Sequence, residues 1–423
     1  MPAEAASRRT YYGWVLVWAL GISTIVSYGT TQYLFQVLVV PIQHDLGWSR
    51  AQISGAYSLT FVSAGLIGLV SGRIVDRRGA RLLMALGSAV AGLALIALSQ
   101  VHQLWQLYVL WSGCIAIANA LTFYPTTFIV ITNWFIRRRG SALALLTLLG
   151  GLASPIFIPL AGVLVPRLGW RETVVVFGLI QLLAALPIHL LAVRRRPEDM
   201  GLLPDGEPPG AEKPEPIRGA VMGEAVRGLP FWTLTISAAL GLLAHAVLLT
   251  HQVAYMIGRG YDPVFAALVA GLLGLASLPG RYIINRVSER ISPQSLLALC
   301  CVVQAAGVAL LALASSALIL WAFVVVYGIG FGAVSPLRAS TMADQFGRRA
   351  FGAITATQGL PVAIAAAIGP VVAGAMYDRL HGYGLALWLT GAAFVLAALA
   401  TWLTPRPPRE SPSSLPEPSP AVA

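Results

Sequence analysis

The chain has 423 residues, 57% of them hydrophobic and 11% charged. A soluble domain carries about a quarter charged residues, so this chain cannot cover a water-facing surface and reads as a membrane protein. Its net charge of +11 could suit nucleic acid or an acidic surface, but the placement of the basic residues, given below, excludes nucleic acid as a partner.

About twenty apolar residues cross a bilayer. Twelve such stretches follow in order, at 11–38, 50–72, 80–100, 104–131, 140–165, 172–193, 230–256, 264–287, 293–315, 319–342, 352–377 and 383–403. The first begins at Tyr11 and is too long for the apolar core of a signal peptide. Spans one to six make an N-terminal bundle over 1–193, and spans seven to twelve a second bundle over 229–404. Residues 194–228 are rich in Pro, Gly and charge and form a linker with too few apolar residues for a core of its own. The Pro/Ser-rich tail 405–423 is expected to be disordered.

The halves repeat each other. Gly140-Ser141-Ala142 matches Gly352-Ala353-Ile354 at a displacement of 212, and Ala161-Gly162 and Arg167-Leu168 match Ala373-Gly374 and Arg379-Leu380. Arg137 to Arg139 precede the first copy as Arg348-Arg349 precede the second. The stretch from Gly72 to Gly79 has a worn copy from Asn285 to Ser292. A repeat in an apolar chain points to two pseudo-symmetric membrane bundles enclosing a site between them. The expected fold is therefore all-α, with twelve transmembrane helices in two six-helix bundles.

With the N-terminus inside, 21 of the 28 Lys/Arg fall in cytoplasmic segments and five outside, namely Arg50, Arg167, Arg171, Arg259 and Arg379. That is the positive-inside bias, and it expects both termini and the linker in the cytoplasm, with the chain in a bacterial-type inner membrane. Two arginines, Arg281 and Arg338, remain within spans. The cysteines Cys114, Cys300 and Cys301 lie in apolar stretches with no metal-ligand spacing. No nucleotide-binding loop or dinucleotide fingerprint is present, so no cofactor is expected and uphill transport would draw on an ion or substrate gradient.

Between spans two and three, Gly72-x-x-x-Asp76-Arg77-x-Gly79 with Arg81 resembles the signature loop of the major facilitator superfamily. With twelve spans and the repeat, the resemblance covers residues 11–403 and implies a central cavity with alternating access. Tyr12-Gly13-Trp14, Gly47-Trp48-Ser49 and Asn133-Trp134-Phe135-x-Arg137-Arg138-Arg139-Gly140-x-Ala142 are similar to the monocarboxylate transporters and their bacterial oxalate/formate exchanger-like relatives. In that family a span-eight arginine binds the substrate carboxylate, and Arg281 occupies the matching place. The better-known members carry an aspartate one turn earlier, linked to proton coupling; this chain has Ser277 there.

Arg281 is the sharpest candidate on chemical grounds also. A guanidinium fork fits a carboxylate, and a charge within a span is costly enough to need a reason. Snorkelling to the interface is the competing account, for Arg281 and more so for Arg338. His245 and His251, six residues apart in span seven, are candidate proton carriers, with His251 nearer the outer mouth; packing histidines are the alternative. Asn119, Tyr28, Tyr327, Tyr124 and Gln358 are polar groups deep in spans, lining the cavity or joining helices. Gly72, Asp76, Arg77 and Gly79 are expected to gate the bundles and not to bind cargo.

The expectation is a secondary transporter of a small organic monocarboxylate, proton-coupled and acting as a monomer in lipid. An exchanger for oxalate, formate or a dicarboxylate is the alternative, and a receptor on the same fold a third. No Ser/His/Asp spacing or paired carboxylate lies within the spans, so an enzyme is not expected.

Overall fold

The structure, a computed structural model, describes residues 11–206, 220–287, 291–347 and 350–405, without the side chains of residues 69, 72, 73, 76–78, 281–286, 351 and 352. Helices follow the apolar stretches. The first bundle holds α1 (Tyr12–Leu46), α2 (Arg50–Arg78), α3 (Arg81–Leu98), α4 (Leu104–Trp134), α5 (Arg139–Leu168) and α6 (Trp170–Leu191). The second holds α7 (Leu229–Gly258), α8 (Pro263–Val287), α9 (Pro293–Ala312), α10 (Ala317–Phe346), α11 (Phe351–Leu380) and α12 (Gly384–Trp402). Among the described residues, 11 helices are long and apolar enough to cross a membrane. The twelfth, α2, has the length, 29 residues, and carries the charged end of the signature loop.

Local chemistry sets the helix ends. Gly47, at φ 70°, closes α1. Ser49 then caps α2 by accepting from the Gln52 N–H, while the Gln52 side chain accepts from the Ser49 N–H. α1 runs on to Leu46, past the expected end near 38, because Pro41 is accommodated inside the helix. Its middle loosens into a π-helical stretch, Tyr28–Tyr33, where the Thr30 and Thr31 hydroxyls return to the Val26 and Ser27 carbonyls. α4 breaks at Phe123, whose extended backbone (ψ 179°) caps a restarted helix with Pro125, which lacks an N–H, in its first turn.

Between the bundles, α2 runs along α11 and α5 along α8. Lipid gives no hydrophobic drive between helices, so close packing and polar contacts hold them. Small residues allow it. Gly274 leaves space for the Ser154 hydroxyl, which donates to the Gly271 carbonyl at 3.1 Å. The described ends, Tyr11 and Pro405, and the described parts of the linker lie on one face of the bundle pair, here called proximal; the opposite face is distal.

The described linker has no core of its own, and each end borrows one. Two tight turns, Pro197–Met200 and Pro204–Gly206, place Leu202 against the apolar cluster of Trp134, Phe135 and Tyr11. Asp205 is buried there, its backbone at φ 60°. Its carboxylate accepts the N–H groups of Ile136, Arg137 and Arg138 at 3.0, 2.8 and 3.1 Å. Burial works against its charge, but those donors and the Arg137 charge outweigh it and hold the carboxyl below the usual carboxylate range. At the other end the Ala220 N–H donates to the Phe346 carbonyl.

Candidate functional site

A polar latch joins the bundles at the distal face. Asp378, at the end of α11, accepts the first two N–H groups of α2: Arg50 to Oδ1 at 3.0 Å and Ala51 to Oδ2 at 2.9 Å. An anion at a helix N-terminus satisfies orphan donors and meets the positive end of the dipole. The Arg50 guanidinium donates to Gln43 at 2.8 Å and to the Tyr383 hydroxyl at 2.8 Å, and sits 3.5 Å above the Tyr377 ring. Tyr383 and His251 are 2.9 Å apart at Nδ1, and His251 Nε2 is 2.8 Å from the Pro370 carbonyl. A carbonyl only accepts, so Nε2 carries the proton and Nδ1 accepts from Tyr383. His251 is thus bonded at both ring nitrogens within the latch. Gln252, donating to Gln36 at 3.0 Å, adds a further bond across the bundles.

Deeper in, His245 sits between two spaces. One, of about 30 Å³, lies between the bundles and is lined by Tyr33, Ser154, Gln252, His245, Tyr327 and Phe331. The other, of about 100 Å³, lies inside the second bundle among α7, α9, α10, α11 and α12. His245 and Phe331 line both. The two rings stack at 4.3 Å, and His245 Nδ1 is 2.8 Å from the Tyr327 hydroxyl. In the larger cavity Arg338 donates to Gln358 Oε1 at 2.7 Å. The Gln358 amide is held in that sense because its Nε2 donates to Thr235 at 3.2 Å, and Thr235 in turn donates to the Phe231 carbonyl. No Asp or Glu lines this cavity.

The remaining candidates divide. Asn119 Oδ1 accepts from Thr31 at 2.7 Å and so joins α4 to α1. Tyr28 stacks on Phe123 at 3.8 Å and leans on Tyr124, whose hydroxyl nestles against Gly150. Tyr327 and Gln358 reach the spaces above, whereas His251 belongs to the latch. Gly79, at φ 84°, ends α2 beneath the Arg195 side chain. The side chains of Arg281, Gly72, Asp76 and Arg77 lie outside the described residues. At the position where the resemblance implies an aspartate, the Ser277 hydroxyl donates back to the Gly274 carbonyl at 2.6 Å.

The Major Facilitator Superfamily model matches residues 20–366 and 320–423. The chain belongs to the major facilitator superfamily. Its all-helical, two-bundle architecture is that of a transporter, and the superfamily's members are not enzymes. It is 27% identical over 401 residues to "Monocarboxylate transporter 3" of Rattus norvegicus, covering 92% of this chain and 79% of that protein. It is 24% identical over 362 residues to "Uncharacterized MFS-type transporter YcxA" of Bacillus subtilis (strain 168), covering 82% and 85%. In fold it is similar to a bacterial homolog of the human lysosomal transporter Spinster, solved inward-facing and unoccupied, with TM-score 0.74, 16% identity, and 94% and 97% of the two chains covered.

Sequence reasoning missed the latch in this superfamily member. Arg50 and Asp378 stand as ordinary loop-edge charges, 328 residues apart. The available signal was weak: an acid next to Tyr377 at one span's end, and a Ser49/Gln52 cap exposing N–H groups at another's start.

Proposed function

We propose that this transporter carries a small organic monocarboxylate of the lactate and pyruvate kind in symport with protons. It does so as a monomer in a bacterial-type inner membrane, with both termini cytoplasmic. The observation that supports this most is the similarity, over 92% of the chain, to a relative named as a monocarboxylate transporter. The chain's own chemistry agrees with it. Arg281 is a charge within α8, and no Asp or Glu lies deep in any span, which suits an anionic cargo and not a cationic one. Arg281 neutralises the carboxylate, since a guanidinium stays charged and offers a bidentate fork. The distal latch and the Gly72–Gly79 loop then alternate in holding the two bundles together as they rock. Of the two histidines, His245 faces the central spaces and His251 faces the latch, so they offer two routes for a proton.

The test is uptake of labelled pyruvate and lactate into proteoliposomes, with and without an inward proton gradient. Concentrative uptake driven by the gradient is expected. Uptake that needs a counter-anion inside and ignores the gradient would make the protein an exchanger. Wild-type pH dependence in both His245→Gln and His251→Gln would remove histidine from the proton route.

A further inference from the structure

Resting on the reading of the protein as a monocarboxylate transporter, we infer that the cavity inside the second bundle is a carboxylate site in its own right. There Arg338 holds the acid group, and the apolar walls receive a branched hydrocarbon body. The first observation is charge. Arg338 is partly buried, and one hydrogen bond, to Gln358, engages its fork among the described residues. No carboxylate lines the cavity to balance it. A buried cation without a counter-ion is destabilising unless something else supplies the charge. Snorkelling does not account for it, because the guanidinium is tied to an amide that Thr235 has already oriented.

The second observation is that the scaffold does not ask for this pair. Displaced by 212, Arg338 and Gln358 correspond to Thr126 and Leu146, which are buried in the first bundle. A charge and its amide partner placed in only one of two repeats serve something other than the fold.

The third is shape. The space is about 100 Å³, on the scale of a cavity of about 150 Å³ that binds one benzene-sized molecule. Its wall carries Leu234, Leu242, Leu297, Val334 and Phe394. One cation takes one carboxylate, and that wall penalises a second charge or a hydroxyl-rich body. A branched-chain acid fits; oxalate does not. The position is distinct from Arg281. Gly280 lies against the Ile329 carbonyl, so Arg281 stands near that level, and Arg338 is about nine residues, or roughly 13 Å, further along α10 toward the proximal face. His245 and Phe331, stacked at 4.3 Å, form the wall shared by the inter-bundle space and this second arginine's cavity.

The test uses purified full-length protein and equilibrium binding of 3-methylbutanoate, its uncharged twin 3-methylbutanamide, and pyruvate. Gly241 lines the cavity, and a Cβ there meets nothing within 4 Å. Gly241→Leu therefore fills the space with a better helix former and leaves the fold intact. Wild type is expected to prefer 3-methylbutanoate over the amide by about tenfold or more. Arg338→Gln should lose most of that preference, and Arg338→Lys should keep part of it. Gly241→Leu should lower the ratio of 3-methylbutanoate to pyruvate affinity by about tenfold. Unchanged binding of 3-methylbutanoate in Gly241→Leu overturns the proposal even if Arg338→Gln fails to fold. The two readings fail separately. If wild-type proteoliposomes take up pyruvate while neither variant alters branched-acid binding, the cavity site falls and the transport reading stands. If no monocarboxylate is transported, the transport reading falls, and the binding measurements still decide the cavity.

Discussion

In the first bundle one chain of interior polar groups bonds across the helices. Thr30 donates to Gln181 at 3.0 Å, and Gln181 donates to Ser27 and Ser88 at 3.3 Å. Ser88 lies 2.8 Å from His189 Nδ1, and Asn119 closes on Thr31. In the second bundle the corresponding interior holds a cavity with Arg338, Gln358 and His245 at its edges. The first-bundle chain joins helices, whereas Arg338, Gln358 and His245, which also bond between helices, line a space as well. Duplication supplies a symmetric frame, and under the proposed function an acidic cargo would break that symmetry.

The largest effect that can test this contrast is expected at Arg281. Arg281→Lys should lose most uptake at equal expression, because a point charge cannot reproduce the bidentate fork. Near-normal uptake in Arg281→Ala would show that the second bundle does not bind the acid there. Next comes the latch, where both copies meet. Asp378→Asn keeps the shape but removes the anion at the start of α2. It should raise several-fold the labelling of a cysteine placed at Ser54 by a membrane-impermeant maleimide; unchanged labelling would mean that the Asp378 contacts do not hold the distal face.

The first bundle should answer differently. Asn119→Ala removes the Thr31 partner and should cost about 1 kcal/mol of stability, read as a lower unfolding temperature, with substrate affinity unchanged. A fall in affinity at intact stability would return Asn119 to the binding site. The smallest effect is expected in the linker. The Asp205 carboxyl is held below its ordinary range when docked, so its contribution is full above that range and is lost as pH falls through the lowered value. Limited proteolysis should cut the linker faster in Asp205→Asn at neutral pH, and faster in wild type only under strongly acidic conditions.

Much of the architecture was legible in the residues alone, because it depends on local quantities. Span length is a count of apolar residues. The repeat is a comparison of short motifs, such as Gly140-Ser141-Ala142 with Gly352-Ala353-Ile354. Exact helix ends were not legible: the second apolar stretch ends near 72, and its helix runs on to Arg78. The site was legible only in part. Arg338 and Gln358 stood out as polar groups in apolar spans, but their meeting depends on how α10 lies beside α11. Asn119 and Gln358 looked alike in sequence; one proved to be bonded to Thr31 and the other to Arg338.

The sequence by itself determined the membrane class, the two-bundle plan and the residue types available inside the bundles. Each of those follows from composition, spacing and the cost of placing charge in lipid. Only the tertiary structure decided which polar groups satisfy one another and which are left facing space. That choice rests on contacts across 328 residues for Arg50 and Asp378, and 132 for His251 and Tyr383. A hydrogen bond forms within about 3 Å, and no pattern along the chain specifies that distance until the helices have packed.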